Sequence, residues 1–273
     1  MNLARALARA AALGLDRFDA QLLLLHALGR PAHDRAWLIA HDTDDLPPPA
    51  QAAYEALCLR RAAGEPVAYL VGEKEFFGLP LAVDRRVLVP RPDTETLVEW
   101  ALEVLAGRPG PAAIDLGTGS GAIALAIAHR RPQARVEAVD RSEDALAVAR
   151  ANAQRLGLAV DFRAASWLEG AGRGYDLVVS NPPYIASDDE HLAALVHEPL
   201  SALASGADGL DDLRAIVRQA PAHLAPGGWL LLEHGWDQAG AVRALLEGAG
   251  FTQVQSRRDL AGIERACGGQ WLG

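Results

Sequence analysis

The 273-residue sequence predicts an α/β protein, an open sheet of alternating strands and helices preceded by a small helical bundle. Three observations carry that class. From Ala112 onward, short apolar runs alternate with segments of helical period. The first of those runs, Ala112–Leu116, passes through Gly117-Thr118-Gly119-Ser120-Gly121 directly into an apolar helix. Residues 3 to about 63 show apolar positions at helical spacing, broken by Gly and Pro, and no strand pattern.

Composition narrows the function classes. Half the residues are hydrophobic, enough for a sizeable core. A net charge of -9 argues against stable nucleic-acid binding, which relies on a basic surface. Cys58 and Cys267 lie far apart, with no CxxC and no zinc-ligand spacing, so the expectation is a reducing, cytoplasmic setting and no structural metal. No apolar run approaches a membrane span, and Arg5, Arg9, Asp16 and Asp19 interrupt any signal-peptide core. Lys74 is the sole lysine, which reads as coding bias.

Taken in order, the chain divides into a helical domain (1–66), a β-hairpin linker (67–89) and an α/β domain (90–273). Leu3, Leu7, Ala11 and Leu15 define one helical face, and Leu22, Leu23, Leu25 and Leu28 a second. Trp37, Leu38 and Ile39 belong to a third helix, and Gln51 to Ala63 form a fourth. No helix-turn-helix signature is present, so this domain reads as a partner-docking or substrate-recognition module. From Val67 to Val89, short alternating stretches with turns at Gly72, Gly78 and Pro80 predict the hairpin. Val89-Pro90-Arg91-Pro92-Asp93 leads into a helix from Thr94 to Leu105, with Asp93 expected as N-cap. Arg91, between two prolines, either faces the site or is a surface arginine in a rigid linker.

A glycine turn between strand and helix brings backbone N–H groups close to a ligand at a helix N-terminus. About 20 residues on, the strand Arg135–Val139 ends at Asp140, whose carboxylate can accept from both ribose hydroxyls of an adenosine cofactor. Gly117, Gly119 and Ala122 also satisfy the dinucleotide G-x-G-x-x-A pattern, so an NAD enzyme is a rival reading. Asp115, just before the turn, suits a cationic amino-acid moiety and would repel a pyrophosphate. S-adenosylmethionine, a sulfonium carrying adenosine and an amino acid, fits better than NAD.

The remaining pattern supplies a helix Glu143–Leu156, a strand Ala159–Phe162, a strand Tyr175–Val179, a helix Asp212–Leu224, a strand Trp229–Glu233 and a helix Ala239–Ala249. A terminal hairpin follows, Thr252–Ser256 and Ile263–Trp271. Trp167, at a strand's carboxyl end, either packs on an adenine or is a core tryptophan.

The strand Tyr175–Val179 ends in Ser180-Asn181-Pro182-Pro183-Tyr184. Proline cannot donate to a ladder and biases its predecessor away from helix, so Asn181 is held at the open carboxyl end of a strand, where α/β sheets bind ligands. The Asn181 side-chain oxygen and the Pro182 carbonyl can each accept one N–H of a planar –NH2 group, and Tyr184 can stack on its flat face. Catalysis here rests on positioning. A proline-rich turn with a buried tyrosine is the plainer alternative.

With these pieces assembled, the chain resembles the HemK/PrmC family, the protein-glutamine N5-methyltransferases that act on peptide chain release factors. The resemblance covers nearly the whole chain. It is carried by Glu75-Phe76-Phe77-Gly78, Val89-Pro90-Arg91-Pro92-Asp93-Thr94-Glu95, Asp115 to Ile123, Ser180 to Ile185, Glu198-Pro199-Leu200 and Leu231-Leu232-Glu233-His234-Gly235. It implies a seven-stranded Rossmann-like class I methyltransferase domain behind the bundle and hairpin, with S-adenosyl-L-methionine as cofactor. The implied substrate is the glutamine of the Gly-Gly-Gln loop of release factors, whose methylation modulates translation termination. Together with Asp115, the residues Gly117, Thr118, Gly119, Ser120, Gly121, Asp140, Trp167 and Asn181 are then expected at the cofactor. Asn181, Pro182, Pro183 and Tyr184 are expected to hold the glutamine amide. Ser166 departs from the family, which usually has an acidic residue before the tryptophan. The rivals are an adenine-N6 methyltransferase, whose base –NH2 suits the same loop, the NAD enzyme, and a non-catalytic cofactor-binding adaptor. Gly268-Gly269-Gln270 reproduces the substrate tripeptide, in a strand expected to keep the glutamine away from the site.

Overall fold

The computed structural model describes residues 1–273, which divide into two compact units, Met1–Glu73 and Lys74–Gly273. The first unit is helical: α1 (Leu3–Ala12), α2 (Arg17–Ala27), α3 (Arg35–Ala40), α4 (Pro48–Ala62) and α5 (Val67–Val71). Asn2 and Asp16 cap α1 and α2 by accepting the backbone N–H of Arg5 and Phe18. The buried face of α1 is Leu3, Ala6 and Ala10; Leu7 packs only partly and Ala11 is exposed, one position off the expected stripe. Small alanines on that face let α1 approach Leu23, Leu24 and Leu25 of α2.

Residues 67–71 are a helix, where alternation predicts a strand. Pro66 stands at its N-cap position and Gly72, at φ +78, ends it in the left-handed region. The hairpin is therefore shorter than 67–89: β1 (Glu73–Phe76) and β2 (Leu79–Ala82). Its tight turn places Phe77 (φ 52) and Gly78 (φ 80) both at positive φ, the geometry that matches strand twist. Phe76, Leu79 and Leu81 are buried in the core of the second unit. Asn152, fully buried, accepts from the Ala82 N–H at 2.7 Å and donates to the Ala82 and Ser120 carbonyls, tying β2 to the glycine turn.

The second unit alternates strands with helices after α6 (Glu95–Val104): β3 (Ala112–Leu116), α7 (Ala122–Arg130), β4 (Arg135–Asp140), α8 (Glu143–Leu156), β5 (Asp161–Ala164), β6 (Tyr175–Ser180), α9 (Asp211–Gln219), β7 (Leu224–Glu233), α10 (Ala239–Gly248), β8 (Thr252–Arg258) and β9 (Glu264–Trp271). The seven-stranded sheet runs β5-β4-β3-β6-β7-β9-β8, with β9 antiparallel to both neighbours. Successive residues of β3 point to opposite faces: Ala113 joins the core that includes α6, α7 and α8 residues, and Ile114 joins the core under α9 and α10. The strand expected at 159–162 lies at Asp161–Ala164, an edge strand whose polar outward positions blur the apolar signal. Asp93 does not cap α6. A 3-10 turn, Pro92–Thr94, leads into that helix, and Asp93 faces Arg265 at 3.6 Å.

Candidate active site

Strand order reverses between β3 and β6, which are parallel neighbours with Leu116 paired to Ser180. Gly117 and Asn181 therefore emerge side by side at the switch point, and Asp140 emerges from β4 on the other side of β3. Open α/β sheets bind ligands at this crevice. A cleft opens there, walled by Gly117, Gly119, Asp140, Trp167, Asn181 and Pro183. Further walls come from Arg86 to Leu88, Arg141, Ser142 and the loop containing Pro199, Ser201 and Ala202, none of which periodicity singles out.

The glycine turn works differently from a phosphate cradle. The N–H groups of Gly117 and Thr118 donate to the Val139 carbonyl, Gly119 N–H to Asp140 Oδ2 at 3.0 Å, and Gly121 N–H to Thr118 O. These donors are consumed inside the fold, contrary to the expectation that they face a ligand. A pyrophosphate finds few partners here, which counts against the NAD reading. Asp140 is held by Gly119 and Ser142 N–H groups, one on each oxygen, leaving lone pairs on both for a diol. Trp167 (φ 51) places its ring 3.3 Å from where a Cβ on Gly117 would stand, so that glycine admits the indole to the cleft wall. The open wall, the Asp140 carboxylate and the indole fit an adenosine-bearing cofactor.

Asp115 lies beneath the turn, 1% exposed. Its Oδ2 accepts from Thr118 Oγ1 at 2.6 Å and Ala124 N–H at 3.2 Å, while Oδ1 has no hydrogen-bond partner. Burial pushes its pKa up to about 7, with Asp140 adding repulsion. Asp115, Thr118, Ser120 and Gly121 are not cleft walls; they shape the turn from below.

At the end of β6 the loop 181–184 splits. Asn181 and Pro183 wall the cleft; Pro182 is buried, and Tyr184 turns away into the core that includes α9 and α10 residues. The Tyr184 hydroxyl faces Glu233 Oε1 at 3.5 Å, and burial raises its pKa. Tyr184 thus departs from the expected stacking position. Gln238 Nε2 donates to its carbonyl at 2.9 Å and fixes the loop. Asn181 Nδ2 donates to Thr94 Oγ1 at 3.2 Å, which sets the amide rotamer; Oδ1 accepts no hydrogen bond within the protein. Glu198, buried, accepts from Val89 N–H at 3.0 Å and pairs with the Arg91 guanidinium. Arg91 is thereby explained as the clamp between the 89–91 segment and the 198–202 wall. Thr94, Glu233 and Glu198 were not among the expected site residues, although each falls within a motif that carries the resemblance.

The tripeptide Gly268-Gly269-Gln270 lies in β9, paired to Leu231, Leu230 and Trp229. A Cβ at Gly268 would stand 2.8 Å from Trp100 Cη2, and one at Gly269 2.8 Å from Phe251 Cβ, so packing on both faces accounts for the glycines. Gln270 donates to the Gly227 carbonyl and accepts from Gln253.

Comparison with known proteins agrees with this architecture. Residues 94–249 match the family described as Methyltransferase small domain, and residues 1–72 match the PrmC N-terminal domain. A release factor glutamine methyltransferase of Bordetella pertussis is 56% identical over 260 residues, covering 94% of this chain and 95% of the relative. One from Xylella fastidiosa (strain Temecula1) is 51% identical over 272 residues, covering 98% of each. Among solved structures, a methyltransferase from Pyrococcus furiosus superposes with a TM-score of 0.56 at 21% identity, covering 80% of this chain and 98% of that one, and shares the fold. The chain belongs to the release factor glutamine methyltransferase family.

Proposed function

We propose that this protein methylates the side-chain amide nitrogen (N5) of the glutamine in the Gly-Gly-Gln loop of peptide chain release factors, with S-adenosylmethionine as methyl donor. Asp140, Trp167, Gly117 and Gly119 would line the site of the donor, over a turn shaped from below by Asp115, Thr118, Ser120 and Gly121, and the donor supplies a methyl group on a cationic sulfur when bound. The rest is the work of the chain's own side chains. An amide nitrogen is a poor nucleophile because its lone pair is delocalised into the carbonyl. Asn181 Oδ1 and the Pro182 carbonyl accept hydrogen bonds from the two N–H groups and aim the nitrogen along the cleft, so that orientation substitutes for a strong base, and one of those protons is released to solvent as the nitrogen gains its methyl group.

The observation that carries this reading is the state of Asn181. Its Nδ2 is committed to Thr94, so the group it presents at the cleft is an acceptor, suited to an –NH2 donor. A cytoplasmic release factor is the natural partner of this site. No helix is long and apolar enough to cross a membrane, and the net charge of -9 does not favour stable nucleic-acid binding. The helical unit 1–73 is then the module that engages the release factor.

The test is peptide mass spectrometry of an unmethylated release factor incubated with this protein and methyl-labelled S-adenosylmethionine. One labelled methyl on the Gly-Gly-Gln glutamine is expected. Cofactor binding without transfer to the release factor, and with transfer to an adenine amino group, would replace this reading with the nucleic-acid one.

A further inference from the structure

Glu233 ends β7 beside the loop 181–184 and is 2% exposed. Its carboxyl has no lysine or arginine in ion-pair contact. The groups that face it are the hydroxyls of Thr94 and Tyr184, with Asp93 and Arg265 further out, themselves 3.6 Å apart. Tyr184 Oη stands 3.5 Å from Oε1, and Oε2 closes no hydrogen bond of normal geometry. A buried carboxyl without a cation is costly, and burial raises its pKa to about 7. Such a group in a core strand calls for a role that a leucine in the same place would not fill.

The hydrogen-bond arithmetic supplies one. Thr94 is 4% exposed and its oxygen accepts from Asn181 Nδ2 at 3.2 Å. Its single hydroxyl hydrogen is left to point elsewhere, and the neighbouring Glu233 carboxyl, whose buried Oε2 has no other partner, can accept it. With that hydrogen drawn away, the Thr94 lone pairs remain turned to Asn181. The Asn181 side chain is then locked with –NH2 inward and Oδ1 toward the cleft. The same carboxyl faces the Tyr184 hydroxyl, on the other arm of the loop.

We infer that Glu233 is a positioning residue for methyl transfer: through Thr94 it sets the rotamer of the Asn181 amide, and through Tyr184 it fixes the loop that carries the Pro182 carbonyl. The inference rests on the proposed amide-holding role of Asn181. Glu233 touches neither substrate nor cofactor. A glutamine at 233 presents an –NH2 that competes with Asn181 for the Thr94 oxygen, and the lock is lost.

The experiment compares the wild type, Glu233→Gln, Thr94→Val, Thr94→Ser and the double variant Glu233→Gln/Thr94→Val in the full chain. Turnover of an unmethylated release factor is read together with calorimetric S-adenosylmethionine affinity. Glu233→Gln and Thr94→Val should each lower kcat at least tenfold, with cofactor affinity within threefold of wild type. Thr94→Ser, which keeps the hydroxyl, should restore most of the rate. The double variant should be no slower than the worse single one, because both act along one relay. Multiplying defects, or a Thr94→Ser rate as low as that of Thr94→Val, would overturn the relay. Should the wild type itself leave the release factor unmethylated, the substrate reading fails and the relay is judged by NMR. The Asn181 side-chain –NH2 should exchange slowly with solvent in the wild type and at least tenfold faster in Glu233→Gln. Equal exchange in the two would refute it.

Discussion

The buried carboxylate of Glu198 holds the Arg91 guanidinium with one oxygen and the Val89 N–H with the other, joining segments 107 and 109 residues apart in sequence. This clamp fixes two walls of the cleft, the one at Arg86–Leu88 and the one at Pro199–Ala202. Arg91→Ala leaves the carboxylate buried with one donor fewer. The expected cost is about 1–3 kcal/mol of stability, with a several-fold loss of cofactor affinity. Urea unfolding and calorimetric titration check the two parts.

Trp167→Ala removes one wall of the cleft while leaving Asn181 untouched. S-adenosylmethionine affinity should fall by about tenfold or more, in line with ~1–3 kcal/mol for stacking of a base on an aromatic ring. The turnover number at saturating cofactor should change much less. Equilibrium dialysis and initial rates at saturation separate these outcomes.

The Gly-Gly-Gln tripeptide of β9 should be inert as a substrate. Gln270→Ala is expected to retain wild-type turnover, and intact-mass analysis of the enzyme after prolonged incubation with S-adenosylmethionine should show no modification of Gln270. Gly268→Ala, by contrast, forces a methyl group to within 2.5 Å of Leu231 Cδ2 and 2.8 Å of Trp100 Cη2. It should destabilise by about 1–3 kcal/mol, the usual scale of overpacking, measured by chemical denaturation.

Asp115 and Glu233 both have pKa values pushed up to about 7 by burial. The folded state therefore binds more protons than the unfolded chain between their ordinary carboxyl range and neutrality. Stability from these groups is fully present below about pH 4 and falls as pH rises through about 7. The cofactor-free protein should melt at higher temperature at pH 5.5 than at pH 8. Asp115→Asn should flatten that slope, as read by thermal melts across the pH series.

The sheet was legible because its central strands are buried on both faces. Ala112–Leu116 and Tyr175–Val179 read as apolar runs interrupted only by Asp115 and Asp176, and each is followed within three residues by a glycine or proline that declares the carboxyl terminus of the strand. Gly117, Asp140 and Asn181 could be named for that reason, since strand ends at a switch point converge whatever the detailed packing. Val67–Val71 misled because five apolar residues fit either period, and Pro66 and Gly72, its start and stop, serve a strand as readily as a helix. Tyr184 misled because the direction of a loop side chain depends on what lies under it. Here that is Glu233, at the end of a strand 49 residues away. The link from Thr94 to Asn181 spans 87 residues and rests on one hydroxyl, which leaves no trace in periodicity or composition.

The most direct test of the account is Asn181→Ala, assayed for both methyl transfer and S-adenosylmethionine affinity. Asn181 Oδ1 is proposed as the acceptor that orients the glutamine nitrogen. Its removal should lower turnover of the release factor by about 10²-fold or more, the scale at which reacting groups lose alignment, with cofactor affinity changed only a few-fold. Turnover equal to the wild type, with the cofactor bound as tightly, would contradict the claim that this side chain holds the substrate amide.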